Sequence, residues 1–408
     1  MNCRSCGTSI TSTFLDLGFS PLANDYIDGS QLKQREIYLP LRLMFCEQCM
    51  LVQTEDYTTS EDIFRSDYAY FSSTSKTWLS HSKSYYDKIR QTGLVNEDDL
   101  VIEIGSNDGY LLQYFAADGV KCLGVEPTES TAKAAMQKGI NVLIEFFGFT
   151  IASRIVKEYG KAKLIISNNV YAHVPDLTDF TRGMVKLLDR DGVITIEIPH
   201  LYHLIKDNLF DTVYHEHFSY YSLHALIEVA EQNQLEIFNV EELPTHGGSL
   251  RVYLSHKKAK EKNNQALETI LSKEADLQIN SIVGFQNCQQ RALSKKLEVL
   301  EFIVREKNKG KHIAAYGAAA KGNTLLNYCG IDKDLIDFVC DKAEAKQNKL
   351  LPGSHIPIYH PEHIYKEKPD IIIVLPWNIS NEVTEELKHV VSEWGGTLVR
   401  LMPKVEYL

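Results

Sequence analysis

Short apolar runs recur along the middle of the chain at spacings that predict strands separated by helices. Val101-Ile102-Glu103-Ile104 reads as a strand, and Tyr110 to Ala117 as a helix. Cys122-Leu123-Gly124-Val125-Glu126 is the next strand, followed by a helix from about Thr128. Leu164 to Asn168 and Val193 to Glu197 continue the series, and Leu250 to Leu254 reads as a late strand of the same sheet. Strands alternating with helical segments predict a parallel sheet. Upstream, Thr74 to Arg90 carries apolar residues at helical spacing. Residues 258–308 are rich in Lys, Glu, Gln and Leu and read as solvated connecting helices. A second series then begins, with strands at His312–Tyr316, Ile336–Val339, Ile371–Leu375 and Thr397–Leu401. The expected organisation is an N-terminal module and loop (1–75), an α/β core (76–257), connecting helices (258–308) and a second α/β domain (309–408).

The 408 residues are 44% hydrophobic and 24% charged, as in a folded globular protein, and the length fits two or three domains. The net charge of −11 argues against a nucleic-acid partner, although a few local cations can still hold a phosphorylated small molecule. Met1 to Arg4 shows no apolar signal core, and no run is long enough for a bilayer, so the expectation is a cytoplasmic chain with no membrane partner. The sequence leaves the oligomeric state open.

Four of the eight cysteines, Cys3, Cys6, Cys46 and Cys49, form two CxxC pairs separated by 39 residues. Two such knuckles supply four thiolates, the set zinc takes in closed structural sites. Four thiolates leave no open position, so the expected zinc is structural.

Glu103-Ile104-Gly105-Ser106-Asn107-Asp108-Gly109 follows a strand and precedes a helix, where glycines allow a tight turn and close backbone approach to a ligand. Glu126 stands 21 residues after Gly105 at the end of the next strand, where a carboxylate can grip ribose hydroxyls. The geometry suits a dinucleotide or S-adenosylmethionine. The acidic Glu103 and a glycine pattern looser than GxGxxG favour the latter. The segment resembles motif I of class I methyltransferases, with Asn107 in place of that motif's middle glycine.

Five of the 14 histidines, His200, His203, His215, His217 and His224, fall within 25 residues around Tyr214-His215-Glu216-His217-Phe218-Ser219-Tyr220-Tyr221. If 214–218 is extended, His215 and His217 share one face, and Tyr214 and Glu216 the other. Three readings stand: a metal site at His215 and His217, a network of structural histidines, or acid/base chemistry on a substrate. The third is preferred, because ligands gather at the carboxyl ends of strands in open α/β sheets.

The CxxC pairs, the glycine turn and Tyr214–Tyr221, in that order, resemble the nucleotide-sugar C-methyltransferases. The resemblance covers essentially the whole chain. It implies a zinc module, a class I methyltransferase core and a C-terminal Rossmann-like domain. The implied reaction transfers methyl from S-adenosylmethionine to a carbon α to the ketone, typically C3, of a nucleotide-linked 4-keto-6-deoxy sugar. On that reading Glu103, Gly105, Asn107, Asp108, Gly109 and Glu126 bind the cofactor. The loop Asn168-Asn169-Val170-Tyr171-Ala172-His173 resembles the family's next cofactor loop. His217 is the expected base, with Glu216 competing, and Tyr214, Tyr68 and His173 are donors to the ketone or enolate oxygen. Tyr68-Ala69-Tyr70 resembles the acceptor loop, with aromatic packing as its alternative, and Tyr70 as a further substrate residue. In His246-Gly247-Gly248-Ser249-Leu250-Arg251, Gly248 offers backbone N–H and Arg251 pairs with phosphate, or the segment is a plain turn. The C-terminal turn Gly317-Ala318-Ala319-Ala320-Lys321-Gly322 is expected to hold the nucleotide end of the substrate, with Lys321 adding charge. The alternatives are an O- or N-methyltransferase, or an NAD-dependent oxidoreductase using that C-terminal turn.

Overall fold

The computed structural model describes residues 1–59 and 71–408. The N-terminal part contains β1 (Thr13–Ser20), β2 (Ile27–Asp28), β3 (Leu39–Phe45) and β4 (Val52–Thr54). Two tight knuckles bring the cysteines in: Gly7 N–H donates to Cys3 O (3.0 Å) and Met50 N–H to Cys46 O (2.8 Å). Gly7 and Met50 both take positive φ there (73° and 61°).

A helix follows over Lys76–Gln91, opened by Ser75, whose side chain accepts from Trp78 N–H. It buries Ser82, Tyr85, Tyr86 and Ile89, one stripe at helical spacing, against the next sheet.

That sheet is built from β5 (Leu100–Ile104), β6 (Lys121–Val125), β7 (Val142–Leu143), β8 (Ala162–Asn168) and β9 (Leu188–Pro199). β10 (Ser219–Tyr220) leaves it to pair with β4 of the N-terminal sheet. β11 (Leu235–Leu243) and β12 (Ser249–His256) return, giving the order β11-β12-β9-β8-β5-β6-β7. The five strands from β5 to β9 run parallel; β5, β6, β8 and β9 match predicted strands, and the two-residue β7 has no counterpart in the sequence reading. β12 is antiparallel to both its neighbours, and β11 has no counterpart in the sequence reading.

The C-terminal part contains β13 (Ile313–Tyr316), β14 (Val339–Cys340), β15 (Lys349–Leu350), β16 (Ile358–Tyr359), β17 (Ile371–Val374), β18 (Thr397–Arg400) and β19 (Glu406–Tyr407). Its sheet has the order β16-β14-β13-β17-β18-β19, parallel except for β19, while β15 pairs with β2. The architecture is α/β with a Rossmann-like sheet, a second such sheet and a four-cysteine cluster.

The segment 258–308 forms two helices, Asn264–Asp276 and Cys288–Asn308, but they are not the solvated pair expected. The second buries Ala292, Val299, Phe302 and Ile303 in a core shared with the N-terminal strands and the C-terminal sheet. Phe285, just before it, stacks on Phe14 of β1 with centroids 4.4 Å apart. Among the described residues no helix is long and apolar enough to cross a membrane.

Candidate active site

The segment Tyr214–His217 is a turn rather than a strand. His217 N–H donates to Tyr214 O at 3.0 Å, closing a four-residue turn between the short helix Phe210–Thr212 and β10. The expected sharing of faces therefore fails. Residues one and four of the turn meet, with Tyr214 Oη 2.8 Å from His217 Nε2. The middle residues point elsewhere: His215 Nε2–H donates to Pro40 O (3.1 Å), and Glu216 Oε1 accepts from Asn24 (2.6 Å). His215 and His217 thus form no metal pair, and neither belongs to a cluster able to hold a metal among the described residues.

His217 Nδ1 lies 3.2 Å from Thr212 O. A carbonyl only accepts, so Nδ1 carries the proton and Nε2 accepts from the Tyr214 hydroxyl. Burial, followed by the nearby His173 and Lys321 charges, holds His217 well below the ordinary histidine value. His173 Nδ1–H donates to Glu216 O (2.8 Å), and its ring meets that of His217 edge-on at 4.7 Å. Burial pushes His173 down to about 4 and His246 to about 3. Unfolded, these histidines titrate near 6.5, so the unfolded chain binds more protons than the folded one below that pH. Stability contributed by this cluster is present above pH 6.5 and is lost as pH falls toward 4. Thermal melts across that range should show Tm dropping with acidification, and a flat profile between pH 7 and 4 would contradict the buried neutral cluster.

Lys321 opens the helix Ala320–Cys329 and is turned toward this cluster. Its Nζ donates to Asn378 (3.2 Å) and lies 5.0 Å over Trp377, and burial pushes it down to about 8 against the pull of Asp211. Asp211, pushed up to about 6 by burial, accepts from Trp377 Nε1–H at 2.5 Å. The C-terminal glycine turn is covered from the N-terminal module: Tyr26 Oη donates to Ala318 O (2.6 Å), and Lys346 donates to the same oxygen (2.8 Å). Asp341 Oδ2, where a dinucleotide ribose would be gripped, accepts from Ala318 N–H (2.7 Å). The Ala318 N–H is thereby engaged, and Ala319 N–H donates to Gly317 O (2.9 Å), so the turn's first N–H groups are not left for a pyrophosphate, which counts against the oxidoreductase alternative.

The cofactor side lies at the carboxyl ends of β5, β6 and β8. Glu126 accepts from Asn107 N–H and Thr128 N–H, each at 2.9 Å, so its carboxylate is fixed beside the turn. Gly105 (φ 69°) has no room for a side chain, since an added Cβ would lie 2.3 Å from Val170 Cγ2. Gly109 (φ 75°) packs equally tightly on Ile140. Asn107 takes φ 48°, a left-handed value that asparagine tolerates, which is how it replaces a glycine. Asn168 Oδ1 and both amide atoms of Asn169 are buried without hydrogen-bond partners among the described residues. Such orphaned groups beside a glycine cradle and a fixed carboxylate fit S-adenosylmethionine. Gly105, Gly109, Glu126, Asn168 and Asn169 are the residues that would hold it.

Other predicted residues are placed differently. Glu103 is wholly buried beneath the turn, pushed well up by burial and reaching the Tyr110 hydroxyl, so it supports the turn and offers a cofactor no surface. Asn107 Oδ1 accepts from Ser72 N–H (2.9 Å), and Asp108 Oδ2 accepts from Ser73, tying the turn to the 72–73 segment. Arg251 is not available for phosphate: it is 3% exposed and paired with Glu197 (2.6 Å), directly opposite it in the β12–β9 register. Although burial alone raises Glu197, His81 and Arg251 hold it down to about 2. Gly248 offers no free N–H, because it donates to Thr245 O (2.9 Å). Its glycine character serves the His203 ring, which an added Cβ would approach to 2.2 Å. Tyr68 and Tyr70 lie outside the described residues. Asn24, Tyr26, Asp211, Trp377 and His81 complete the site's surroundings and carried no sequence signal.

A hollow of about 470 Å³ at the opposite ends of the strands, lined by Asp98, Lys121, Lys163 and Asp191, includes none of the predicted site residues.

The zinc reading holds in geometry. The four sulfur atoms lie within 4.8 Å of one another, with Cys3–Cys49 at 3.4 Å and Cys6–Cys46 at 3.5 Å. Those separations are near the roughly 3.8 Å expected when thiolates stand about 2.3 Å from one tetrahedral zinc.

Comparisons with known proteins agree with this layout. Three family models match in order: "Putative zinc binding domain" over residues 3–64, "Methyltransferase domain" over 81–240 and "C-methyltransferase C-terminal domain" over 244–403. The C-methyltransferase NovU of Streptomyces niveus is 30% identical over 397 residues, covering 97% of this chain and 94% of the relative. Likenesses to solved structures are confined to part of the chain. The magnesium protoporphyrin IX methyltransferase ChlM of Synechocystis PCC 6803 is 15% identical, covering 44% of this chain and 79% of that one, with TM-score 0.34. An S-adenosylmethionine-dependent methyltransferase of Clostridium acetobutylicum ATCC 824 is 13% identical, covering 43% and 90%, with TM-score 0.35. The end-to-end match to NovU and the ordered family models show that this chain belongs to the C-methyltransferase family, as an S-adenosylmethionine-dependent enzyme with a structural zinc site.

Proposed function

We propose that the chain methylates the carbon α to the ketone of a nucleotide-linked 4-keto-6-deoxy sugar, at C3, through an enolate. The observation that carries this reading is the buried, neutral His217 whose basic nitrogen is already engaged by the Tyr214 hydroxyl. S-adenosylmethionine, when bound, supplies the electrophilic methyl that the nucleophilic carbon accepts. The chain's own work is to make that carbon nucleophilic. The α proton passes to the Tyr214 oxygen as the Tyr214 proton passes to His217 Nε2, and the C–H electron pair becomes the enolate. His217 keeps its Nδ1–H on Thr212 O throughout, which fixes the ring and stabilises the imidazolium. His173 is neutral and its one ring proton is donated to the Glu216 carbonyl, so it does not serve as donor to the enolate oxygen; the Lys321 cation offsets the charge that develops there. Glu216, held by Asn24 rather than by a histidine, is assigned to a sugar hydroxyl. The neutral state of His217 before reaction supports this assignment, because a protonated imidazole could accept nothing.

The test is incubation with S-adenosylmethionine and a panel of nucleotide-linked 4-keto-6-deoxy sugars in deuterated water, read by mass spectrometry and NMR. One added methyl on carbon, with deuterium exchange at the α position, is the expected product. Methylation only of sugars lacking the ketone, or an oxygen- or nitrogen-linked methyl, would overturn the reading.

A further inference from the structure

Beyond the carboxyl end of β9, next to the small cavity that His217 also lines, three further side chains converge. His200, His203 and Glu242 each offer one ligand atom, and these atoms lie within 4.8 Å of one another. His200 caps the short helix Leu201–Lys206, which contains His203, and Glu242 comes from the end of β11.

Two further carboxylates decide which nitrogens carry lone pairs. Glu274 Oε1 is 2.7 Å from His200 Nε2, and Asp207 Oδ2 is 3.4 Å from His203 Nδ1. A carboxylate accepts, so those two nitrogens hold the protons. The lone pairs are left on His200 Nδ1 and His203 Nε2. His203 Nε2 stands 3.7 Å from Glu242 Oε1. His200 Nδ1 is buried on a side chain with 0% exposure and has no hydrogen-bond partner among the described residues. An enclosed imidazole lone pair without a donor is costly unless something electrophilic meets it. A carboxylate behind each imidazole is also the arrangement that orients histidines toward metals. The Gly248 position, which no larger residue could occupy against the His203 ring, holds that ring in place. A cavity of about 20 Å³, room for about one water molecule or one ion, touches His200, His203 and Gly248 and reaches His217, Tyr220 and His246 on its other side, while Glu242 stands outside its lining.

We infer that His200 Nδ1, His203 Nε2 and the Glu242 carboxylate form a second metal site, for a divalent transition ion of the zinc type, with a fourth position open to water. Two imidazoles and one carboxylate suit such ions better than magnesium or calcium, which prefer all-oxygen shells. The remaining Glu242 oxygen pairs with Lys273, and three ligands hold an ion less firmly than four thiolates. The site is therefore exchangeable where the cysteine site is not. Nothing in it depends on the proposed methyl-transfer reaction.

Titration of the full-length, zinc-containing protein with Co²⁺ tests this by visible absorption and metal analysis. The expected result is one saturable equivalent of cobalt showing nitrogen/oxygen-type bands without sulfur-to-cobalt charge transfer. His203→Gln and Glu242→Gln should each weaken it by at least about 10- to 100-fold, the loss that follows even from removing an orienting partner. The zinc content of the cysteine site should be unchanged in both, which also reports that the variants are folded. The site is overturned if wild-type protein takes up no such equivalent, if both variants bind it as tightly, or if the bound cobalt carries the sulfur signature.

Discussion

His217→Asn is expected to lower kcat/KM by about 100- to 10,000-fold, the range supplied by a positioned acid or base. S-adenosylmethionine affinity should stay unchanged, because the Glu126 carboxylate and the Asn168–Asn169 loop belong to other strand ends. Tyr214→Phe removes one oxygen from the same pair and should fall within the same range, with less disturbance of packing. If proton removal runs through the pair, both variants also lose exchange of the α proton with solvent in the absence of methyl transfer. A variant that keeps exchange but loses methylation would move the pair from proton removal to placement of the substrate. The pH profile separates the roles further. Burial, His173 and Lys321 hold His217 well below its ordinary 6.5, so the acid limb of kcat/KM belongs below that value. An acid limb centred at 6.5 or above would mean that His217 is not the group being read.

How far this site was legible in the sequence depends on how local each relation is. The cysteine pairs, the glycine turn after β5 and the parallel strands β5, β6, β8 and β9 are written in short windows, and the structure reproduces them. β11 escaped because Leu235–Leu243 mixes buried with half-exposed positions, as an edge strand can. The helices after residue 258 looked solvated because their polar and charged residues together outnumber their apolar ones, yet each lays a thin apolar stripe on a core.

The same distinction governs the side chains. Tyr214 and His217 were both singled out, but their meeting depends on a turn that alternation alone cannot distinguish from a strand. Arg251 read as a phosphate ligand because its partner, Glu197, lies in the neighbouring strand. Asn24 reaches Glu216 across 192 residues and Tyr26 reaches Ala318 across 292. No local pattern encodes contacts of that span.

Those long contacts tie the zinc module to the proposed acceptor site, and loss of its metal should disable methyl transfer. Arg4 lies inside the first CxxC knuckle. It donates to Phe218 O (3.3 Å), next to His217, and to Pro175 O (3.4 Å), two residues beyond His173, and stacks on the Phe218 ring at 4.9 Å. It also donates to Thr54 O at 3.0 Å, on the strand that pairs with β10. The knuckle thus holds the backbone beside His217 and near His173 through one side chain. Structural zinc contributes roughly 10–16 kcal/mol in isolated fingers, as much as the roughly 5–15 kcal/mol that holds a whole domain folded. Cys46→Ser should therefore release the metal, loosen the module and raise amide exchange across 172–176 and 214–221. Methyl transfer should be lost while S-adenosylmethionine still binds, since the glycine turn and the Glu126 carboxylate are held by β5, β6 and their own backbone donors rather than by the module. Arg4→Ala is the milder comparison: zinc is retained, the three donations disappear and activity falls only in part. Full activity in a zinc-free Cys46→Ser protein would show that the His217 turn holds its shape without the module. Loss of cofactor binding in that variant would place the effect in the fold as a whole rather than on the acceptor side.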